Sequence, residues 1–375
     1  MKDAFREEYN KICTPSYSAR GGFTLIEMLI SVTILSIITG IGILNLTSYK
    51  NRHSFQLDST NILEGIRSAQ NKAILGEEGT AWGIKFNPST GSESDTYQIF
   101  SGTTYTTSSV VTTQTLSRAS KFSNPSTGFS KVIIFSKTTG VPDVAQTVGI
   151  QTAAGGDANI ISVSKSSSVS QLSGKDLVAY WPLDEEIGVN AYDASGKGHT
   201  GTLNNSPTWQ SSSSGLCRTG GCLGFDGIND EISIPNNATY KPSSITLSFW
   251  ANLQNQSKRH VLVTTWYGYT TEVNSDGTFK WGLNGLTGQY FGTQKINWNE
   301  WVYLTGTFDN TSKQQCIYMN GVMKECQTVT GSISYQSNPL FFSGHWDRVK
   351  GLLDDVRVYN RALATSEVKA LYESY

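Results

Sequence analysis

The chain begins with a polar stretch and then becomes almost uninterruptedly apolar. Residues 23–46 contain a single ionisable side chain, Glu27. At ~1.5 Å per residue, a helix of this length reaches about 36 Å, enough to cross a hydrocarbon layer of ~30 Å. We therefore predict a transmembrane helix at 23–50. Lys and Arg residues precede it, so the positive-inside rule places the N-terminus in the cytoplasm and the C-terminus outside.

Beyond residue 50 the apolar positions take the spacing of an amphipathic helix and then of strands. Apolar side chains recur at steps of three and four from Phe55 to Ala73, with a break at Ser59, and Gly76 and Gly79 end the helix. A long helix with a modest antiparallel sheet predicts an α+β head at 51–163, with a Thr/Ser-rich loop at 103–115. The predicted strands are 82–86, 97–100, 132–135, 148–151 and 160–163.

A second change of pattern follows the head. The serine-rich stretch at 164–176 has no apolar period, and we interpret it as a flexible linker. From 177 onward apolar and polar residues alternate, and Asn320-Gly321 is a strong hairpin signal. This pattern predicts an all-β two-sheet sandwich at 177–375, closed by a short helix with Thr365 as its N-cap.

Composition narrows the class of protein. The 375 residues carry a formal net charge of −1, which excludes an electrostatic nucleic-acid binder. Charged residues make up 16% of the chain, below the roughly 25% of an average soluble domain. Together with 11% aromatic residues, this low charge favours a β-rich protein outside the cytoplasm.

Four of the five cysteines form two pairs that are close in sequence, Cys217 with Cys222 and Cys316 with Cys326. Beyond a membrane segment, such pairs fit disulfides in an oxidising compartment. Positions 316 and 326 also lie symmetrically about the predicted hairpin. Buried free thiols are the alternative, whereas the spacings suit a zinc site poorly.

The residues just before the apolar segment form a specific motif. Residues 20–27, RGGFTLIE, resemble the prepilin cleavage and methylation motif of type IV pilins and type II secretion pseudopilins. The resemblance implies that prepilin peptidase removes the leader 1–22 by cutting between Gly22 and Phe23, and that the Phe23 amino group is methylated. It also implies that Glu27 pairs with a neighbouring subunit's N-terminal amine during assembly. The alternative is a solvated acid on a plain anchor helix.

The head carries a further resemblance. Residues 62–86 resemble the head of minor pseudopilins and related minor pilins, although a major-pilin role stays open. The implied protein is single-pass in the cytoplasmic membrane before assembly and lies at the cell surface or in a pilus afterwards. Its implied partners are the membrane, other pilin or pseudopilin subunits, prepilin peptidase and the inner-membrane assembly platform.

Several strings in the C-terminal half resemble a laminin G-like jelly roll of the concanavalin A-like superfamily. They are VAYWPLDE at 178–185, DASGKGHTG at 193–201, LGFDGINDEI at 223–232, IYMNG at 317–321 and LDDVRVYNRAL at 353–363. Related domains often bind Ca²⁺ through oxygen ligands at one rim. The resemblance implies Asn229, Asp230 and Asp347 as those ligands; the alternative is that they stabilise turns.

Aromatic residues in the same half could stack on sugar rings, as in lectin-like sites. The alternative for each is packing in the core. From the aromatic residues considered, we select Trp266, Tyr269 and Trp346 as the ligand-binding candidates. The full set is Trp266, Tyr267, Tyr269, Trp281, Tyr290 and Trp346.

Three functions stay open at this stage. The first is a minor pilin-like subunit that displays the sandwich as an adhesin for a glycan or a surface protein. The second is a secretion pseudopilin whose sandwich docks exported substrates. The third is a divergent glycoside hydrolase built on Asp184 or Glu185. The catalytic string E-x-D-x-x-E is absent and the histidines are dispersed, so we predict no enzymatic activity.

Overall fold

The computed structural model describes residues 24–155, 157–164, 168–174, 176–344 and 346–375. The chain consists of two compact units, Met1–Lys50 and Asn51–Tyr375. The long helix α1 (Leu25–Leu75) provides the described part of the first unit and the beginning of the second. In the described part of the chain, no helix combines the length and apolar character needed to cross a membrane. The predicted leader at 1–22, and Phe23 at the start of the predicted span, lie outside the described residues.

The second unit begins with a region called the head below, residues 51–174. The apolar stripe from Phe55 to Ala73 on α1 is buried against the head's strands. Ser59, the break in that stripe, is also buried, and its hydroxyl accepts a hydrogen bond from Asn159 Nδ2 at 3.1 Å. The helix ends at Leu75 because Gly76 takes the left-handed conformation, φ 64°.

The strands of the head form two antiparallel sheets, ordered β3-β2-β1-β5 and β4-β6-β7-β8. The five predicted strands are all present among them. The strands are β1 (Trp82–Asn87), β2 (Thr96–Ser101), β3 (Val110–Thr115), β4 (Ser120–Asn124), β5 (Lys131–Phe135), β6 (Gln146–Thr152), β7 (Ala158–Val163) and β8 (Val169–Ser173).

Three of these strands, β3, β4 and β8, lie where the sequence predicts none. Strand β3 occupies part of the predicted Thr/Ser-rich loop, and β8 lies within the predicted flexible linker at 164–176. All three are outer strands that pair with one neighbour: β3 with β2, β4 with β6 and β8 with β7. An outer strand needs no two-sided apolar pattern, because backbone hydrogen bonds to a single neighbour can hold it. The serine-rich segment is therefore partly ordered as sheet.

The remaining residues, 176–375, form a β-sandwich, as predicted, and are called the sandwich below. One sheet has the order β12-β13-β24-β15-β20-β21-β22 with β9 also on β24, and the other has the order β10-β11-β14-β23-β16-β17-β18-β19. The strands are β9 (Leu177–Trp181), β10 (Asn190–Ala191), β11 (Gly201–Asn204), β12 (Thr208–Gln210), β13 (Cys222–Asp226), β14 (Glu231–Ile234), β15 (Ile245–Leu253), β16 (His260–Thr264), β17 (Tyr269–Val273), β18 (Phe279–Leu283), β19 (Tyr290–Phe291), β20 (Trp301–Asp309), β21 (Gln314–Met319), β22 (Val322–Thr328), β23 (Leu340–Phe342) and β24 (Lys350–Tyr359).

A short helix, α2 (Thr365–Glu373), follows the last strand. Its N-cap is Ala364 and not Thr365, as the sequence suggested. The Glu367 carboxylate accepts the Ala364 N–H at 2.8 Å, so the glutamate of the first turn caps the helix.

The core of the sandwich lies between the two sheets. Alternate residues of β15 point inward, among them Leu247 and Phe249, and pack with residues of the facing sheet such as Trp281. Gly306 in β20 leaves room for this indole, since a Cβ added there would lie 2.4 Å from Trp281. Large aromatic residues and a close backbone approach together fill the layer.

Both predicted disulfides are present. The Cα atoms of Cys217 and Cys222 are 5.4 Å apart, and those of Cys316 and Cys326 are 4.1 Å apart. The second pair lies directly opposite in the β21–β22 hairpin. That hairpin turns at Asn320-Gly321, both with positive φ, and a register shift next to Ile317 brings the two cysteines opposite each other.

The head and the sandwich are joined by a buried ion pair. Lys131 Nζ on β5 lies 2.7 Å from Asp184 Oδ2 in the sandwich, and the two side chains are 9% and 10% exposed. The same ammonium group donates to Asn124 Oδ1 and to the Thr147 carbonyl, each at 2.8 Å. Asp184 Oδ1 accepts the Gly221 N–H at 2.8 Å. Both charges therefore keep hydrogen-bond partners after leaving water.

A second polar cluster continues from this contact into the sandwich. The Tyr180 hydroxyl lies 2.8 Å from Thr147 Oγ1 of the head and also bonds to the Asp355 carboxylate. Asp355 in turn accepts from Thr219 Oγ1 at 2.5 Å and from the fully buried Arg357 guanidinium at 3.3 Å. The Arg357 guanidinium also stacks over the Tyr180 ring. These contacts connect the head to a central strand of the sandwich.

Replacing Lys131 by Met is expected to destabilise the second unit by about 3 kcal/mol, because Asp184 is then left buried without its cation. The measurement is the free energy of unfolding at neutral pH from denaturant titration. Lys295→Met is the matched control, since Lys295 and Asp276 form an ion pair in which both side chains are exposed. Its effect should stay below about 0.5 kcal/mol. Equal stabilities of the two variants would contradict the structural role of Lys131.

Candidate ligand-binding cleft

A cleft of about 270 Å³ lies on the outer face of the sheet that contains β16, β17 and β18. Its floor is formed by residues of β16 and β17, and its walls by loops beside them. The lining residues are Arg259, Val261, Thr264, Trp266, Tyr267, Thr270, Glu272, Asn284, Gln289, Tyr290 and Trp346.

The alternation of strand β17 decides which side chains reach the cleft. Thr270 and Glu272 line it, whereas Tyr269 and Val273 point into the core. Tyr269 is 1% exposed, and its ring packs 6.3 Å from that of Trp281. The prediction that Tyr269 contacts a ligand therefore disagrees with the structure. The aromatic pattern alone did not give the phase of the strand.

Two tryptophans form one wall of the cleft. The ring centroids of Trp266 and Trp346 are 5.9 Å apart and their planes are inclined by 60°. Trp346 is 73% exposed, an unusual position for so large an apolar side chain. Trp266 follows β16 with φ 66°, in the left-handed region, and its N–H bonds to Thr264 Oγ1 at 2.9 Å. Both tryptophans therefore line the cleft, and their contact with a ligand stays a prediction.

Tyrosines complete the aromatic surface. Tyr267 lies in the turn between β16 and β17, and Tyr290 begins β19; both side chains are about half exposed. Exposed aromatic rings around a polar floor provide flat apolar faces next to hydrogen-bonding groups. This combination suits a sugar ring, which has an apolar face and a polar rim.

An arginine and two carboxylates form the polar end of the site. Arg259 Nε lies 2.7 Å from Asp347 Oδ2, and its Nη1 lies 3.1 Å from Glu272 Oε2. Burial raises the pKa of Glu272, while the nearby Arg259 charge lowers it. The guanidinium is already neutralised by two protein carboxylates. A neutral ligand therefore matches this cleft better than an acidic one.

Sequence reasoning missed Arg259 and Glu272. Neither belongs to a motif, and the pair is recognisable only when β16 and β17 are aligned side by side. At the far end of the cleft, Gln289 Nε2 donates to Asn284 Oδ1 at 3.2 Å. These amides add further hydrogen-bonding groups to the lining.

The residues predicted to bind calcium already have protein partners. Asp347 is paired with Arg259, and Asp230 Oδ2 accepts the Asp226 N–H at 3.0 Å. The carbonyl oxygen of Asn229 accepts from Asn205 Nδ2 at 3.0 Å. Across the described ranges, no group of three or more His, Cys, Asp or Glu side chains is placed to hold a metal ion. The calcium site on these residues stays a prediction.

The residues implied in processing and assembly lie at the other end of the chain. Gly22 and Phe23 fall outside the described residues. Glu27 is exposed near the start of α1, where its carboxylate accepts the Thr24 N–H at 2.8 Å and the Thr24 hydroxyl at 2.9 Å. The apolar side chains on either side of Glu27 along α1, including Leu25 and Leu29, are exposed. This surface needs a membrane or another protein to cover it.

Comparison with sequence models of protein families gives two matches. Residues 226–369 match the Concanavalin A-like lectin/glucanases superfamily, and residues 17–43 match the prokaryotic N-terminal methylation motif. The chain carries a concanavalin A-like laminin G domain and a methylation motif of the type IV pilin type. A search of curated proteins found no match.

Solved structures match about half of this chain at low sequence identity. Domain 4 of AbnA, a GH43 extracellular arabinanase from Geobacillus stearothermophilus determined with arabinotriose, is 19% identical over 52% of this chain and 98% of that domain, with a TM-score of 0.42. The binding domain of Paraclostridial Mosquitocidal Protein 1 is 20% identical over 54% of this chain and 53% of that one, with a TM-score of 0.45. The binding domain of botulinum neurotoxin serotype D is 15% identical over 53% of this chain and 52% of that one, with a TM-score of 0.41.

Replacing Arg259 by Met is expected to lower the free energy of unfolding at neutral pH by about 1–3 kcal/mol, because Glu272 then has no cation in a buried position. Loss of Arg259 raises the pKa of Glu272 further above its ordinary value of ~4.3, so the ionised form opposes folding above that pH. The stability deficit should therefore shrink as the pH falls towards ~4. Denaturant titration across this pH range measures it.

Arg118→Met serves as the control for that series, because Arg118 is an exposed arginine elsewhere in the second unit. A deficit in Arg259→Met that stays constant from neutral pH to acid would show that the loss comes from packing and not from the charge of Glu272.

Proposed function

We propose that this protein is a type IV pilin-like minor subunit that displays a glycan-binding concanavalin A-like domain on the cell surface or a pilus. Prepilin peptidase removes residues 1–22, and the new N-terminal segment first anchors the subunit in the cytoplasmic membrane. Other pilin subunits then cover that segment in an assembled fibre. The observation that carries the binding part of this proposal is the cleft with Trp266 and Trp346 on its wall.

The start of α1 supports the assembly part. Its apolar residues are exposed from Leu25 to Ile34, and Glu27 lies among them. In the described residues, the Glu27 carboxylate accepts hydrogen bonds from Thr24 only. A carboxylate in an apolar surface is favourable when a cation meets it at one register. The methylated amino group of Phe23 on a neighbouring subunit supplies such a cation. Glu27 would thereby select the register of assembly.

The cleft supports a neutral glycan as the ligand. Tryptophan rings offer stacking faces, and threonine, asparagine and glutamine side chains offer hydrogen bonds to hydroxyl groups. Asp347 and Glu272 already balance the positive charge of Arg259, so the arginine attracts a carboxylated sugar only weakly. The ligand class is therefore a neutral oligosaccharide.

Binding proceeds without turnover in this proposal. Asp184, considered as a hydrolytic residue, is held by Lys131 and the Gly221 N–H. Glu185 is buried next to it, and neither lines the cleft that holds the tryptophans. A glycosidase needs two carboxylates on opposite sides of an accessible glycosidic bond.

Replacing Trp346 by Ala is expected to weaken binding of a neutral glycan by at least roughly tenfold, through loss of ~1.4 kcal/mol of stacking. The glycan is first identified by probing a glycan array with the purified full chain in detergent. Affinities are then measured by titration calorimetry, with and without a chelator, which also tests the predicted calcium requirement.

Two variants control for the tryptophan change. Trp346→Phe keeps an aromatic face and should retain most of the affinity, and Ile228→Ala removes an equally exposed apolar side chain away from the cleft. Array binding confined to sialylated or uronic glycans, or undiminished binding by Trp346→Ala, would overturn the proposed ligand class.

Mass spectrometry of the N-terminus from sheared surface fibres tests processing. The expected mature chain begins at Phe23 with a methylated amino group. Gly22→Leu should leave residues 1–22 attached, because the residue before the cut must fit the peptidase. Glu27→Gln should be cleaved normally yet be depleted from the fibres. Recovery of unprocessed chain from fibres of peptidase-active cells would contradict the assembly proposal.

A further inference from the structure

A second cavity, of about 320 Å³, lies where the head meets the sandwich. It is separate in its lining residues from the tryptophan cleft. The head contributes the loop around Phe129 and strands β5 and β6, and the sandwich contributes the loop that follows β9. The polar and aromatic lining residues used below are Lys131, Gln146, Asp184, Glu185, Glu186, Phe129 and Tyr192.

The hydrogen-bond donors around this cavity are already used by the protein. Lys131 directs its ammonium group at three acceptors, Asp184, Asn124 Oδ1 and the Thr147 carbonyl, which accounts for its three N–H bonds. The side-chain amide of Gln146 donates to the Val132 carbonyl at 3.0 Å. A ligand that needs donors from these two side chains would have to break existing bonds.

The acceptors are not all used. Glu185 is 8% exposed, and its Oε1 accepts the Tyr192 N–H at 2.7 Å. Among the described residues, Glu185 Oε2 and Gln146 Oε1 are buried without a hydrogen-bond partner. Buried acceptors left without a donor are costly and uncommon, so two beside one cavity call for an explanation. A bound group that donates hydrogen bonds provides one.

The side chains around the cavity are mainly acidic, which suits a hydrogen-bond donor that is positively charged. The acidic side chains of Asp184, Glu185 and Glu186 outnumber the one basic side chain, Lys131, among the described lining residues. Aromatic rings stand beside them, with the centroids of Phe129 and Tyr192 6.4 Å apart. A cation with an apolar body can use both features, through the carboxylates and through the ring faces.

We propose that this junction cavity is a binding site for a small molecule that carries a protonated primary amine. The ammonium group donates to Glu185 Oε2 and to Gln146 Oε1, and the apolar part of the molecule lies against Phe129 and Tyr192. The site belongs to neither the concanavalin A-like match nor the tryptophan cleft. Because both the head and the sandwich contribute to it, occupancy strengthens the contact between them.

The ionisation of Glu185 gives the site a pH dependence. Burial raises the pKa of Glu185 to about 8, the Tyr192 N–H and Lys131 lower it, and Asp184 raises it. Binding an ammonium ion requires the ionised carboxylate, so amine binding should release a proton near neutral pH. Affinity is expected to fall as the pH falls below about 8.

Benzylamine is a suitable probe, because it joins a primary ammonium group to one aromatic ring, and benzyl alcohol is its neutral counterpart. Titration calorimetry of the purified full chain in detergent should show benzylamine binding at least roughly tenfold tighter than benzyl alcohol. Glu185→Gln keeps an acceptor for the Tyr192 N–H but removes the charge, and should lose this preference. Glu300→Gln, a surface change away from the cavity, should keep it.

A second variant guards against a folding defect in Glu185→Gln. Phe129→Ala shortens a half-buried side chain of the wall and should weaken benzylamine binding while the unfolding midpoint of the free protein changes little. Equal binding of benzylamine and benzyl alcohol, full binding by Glu185→Gln, or no amine binding at all would overturn the proposal. Glycan binding by the tryptophan cleft is measured separately, so failure of one site leaves the other intact.

Discussion

Lys131 and Asp184 form an ion pair that is buried where the head meets the sandwich. Such a pair is tolerable only where neighbouring groups replace the lost hydration, and here Asn124, Thr147 and Gly221 do so. The pair therefore fixes geometry more than it adds stability. The pair lines the second cavity and is one of the contacts between the head and the sandwich.

Local signals in the sequence predicted much of this arrangement. Glycine ends α1 at Gly76, alternation gives strands such as Ile245–Leu253, and Asn320-Gly321 makes the turn that brings two cysteines together. The methylation motif was legible for the same reason, since its residues are consecutive. Features that depend on a few neighbouring residues can be predicted directly from the sequence.

Features that depend on distant pairing were not predictable in the same way. Lys131 and Asp184 are 53 positions apart, and nothing in either segment indicates the other. Strand β8 was hidden because backbone pairing with β7, and no apolar pattern, orders it. Tyr269 was assigned to the wrong face because an aromatic residue in a strand reports burial only once the phase of the sheet is known. Tertiary context decided each of these cases.

The two proposed sites differ in the chemistry that they offer a ligand. The cleft presents tryptophan faces beside an arginine whose charge is balanced, which favours uncharged polar rings. In the junction cavity the Lys131 ammonium group already donates to protein acceptors, whereas two buried acceptors have no hydrogen-bond partner among the described residues, which favours a cation. The two proposed ligands therefore differ in chemistry, and the two sites share no lining residue.

The hairpin closed by Cys316 and Cys326 lies at the edge of its sheet, where β22 pairs with β21 and, among the described residues, with no strand on its other side. An open edge of this kind can pair with the same edge of another copy, and the close packing of subunits in the proposed fibre would make such contacts frequent. The disulfide holds β22 on β21 and so keeps the edge of β21 covered, while the outer edge of β22 stays open. Reduction of this disulfide should therefore expose the edge of β21 and promote association between copies before it disturbs the core of the sandwich.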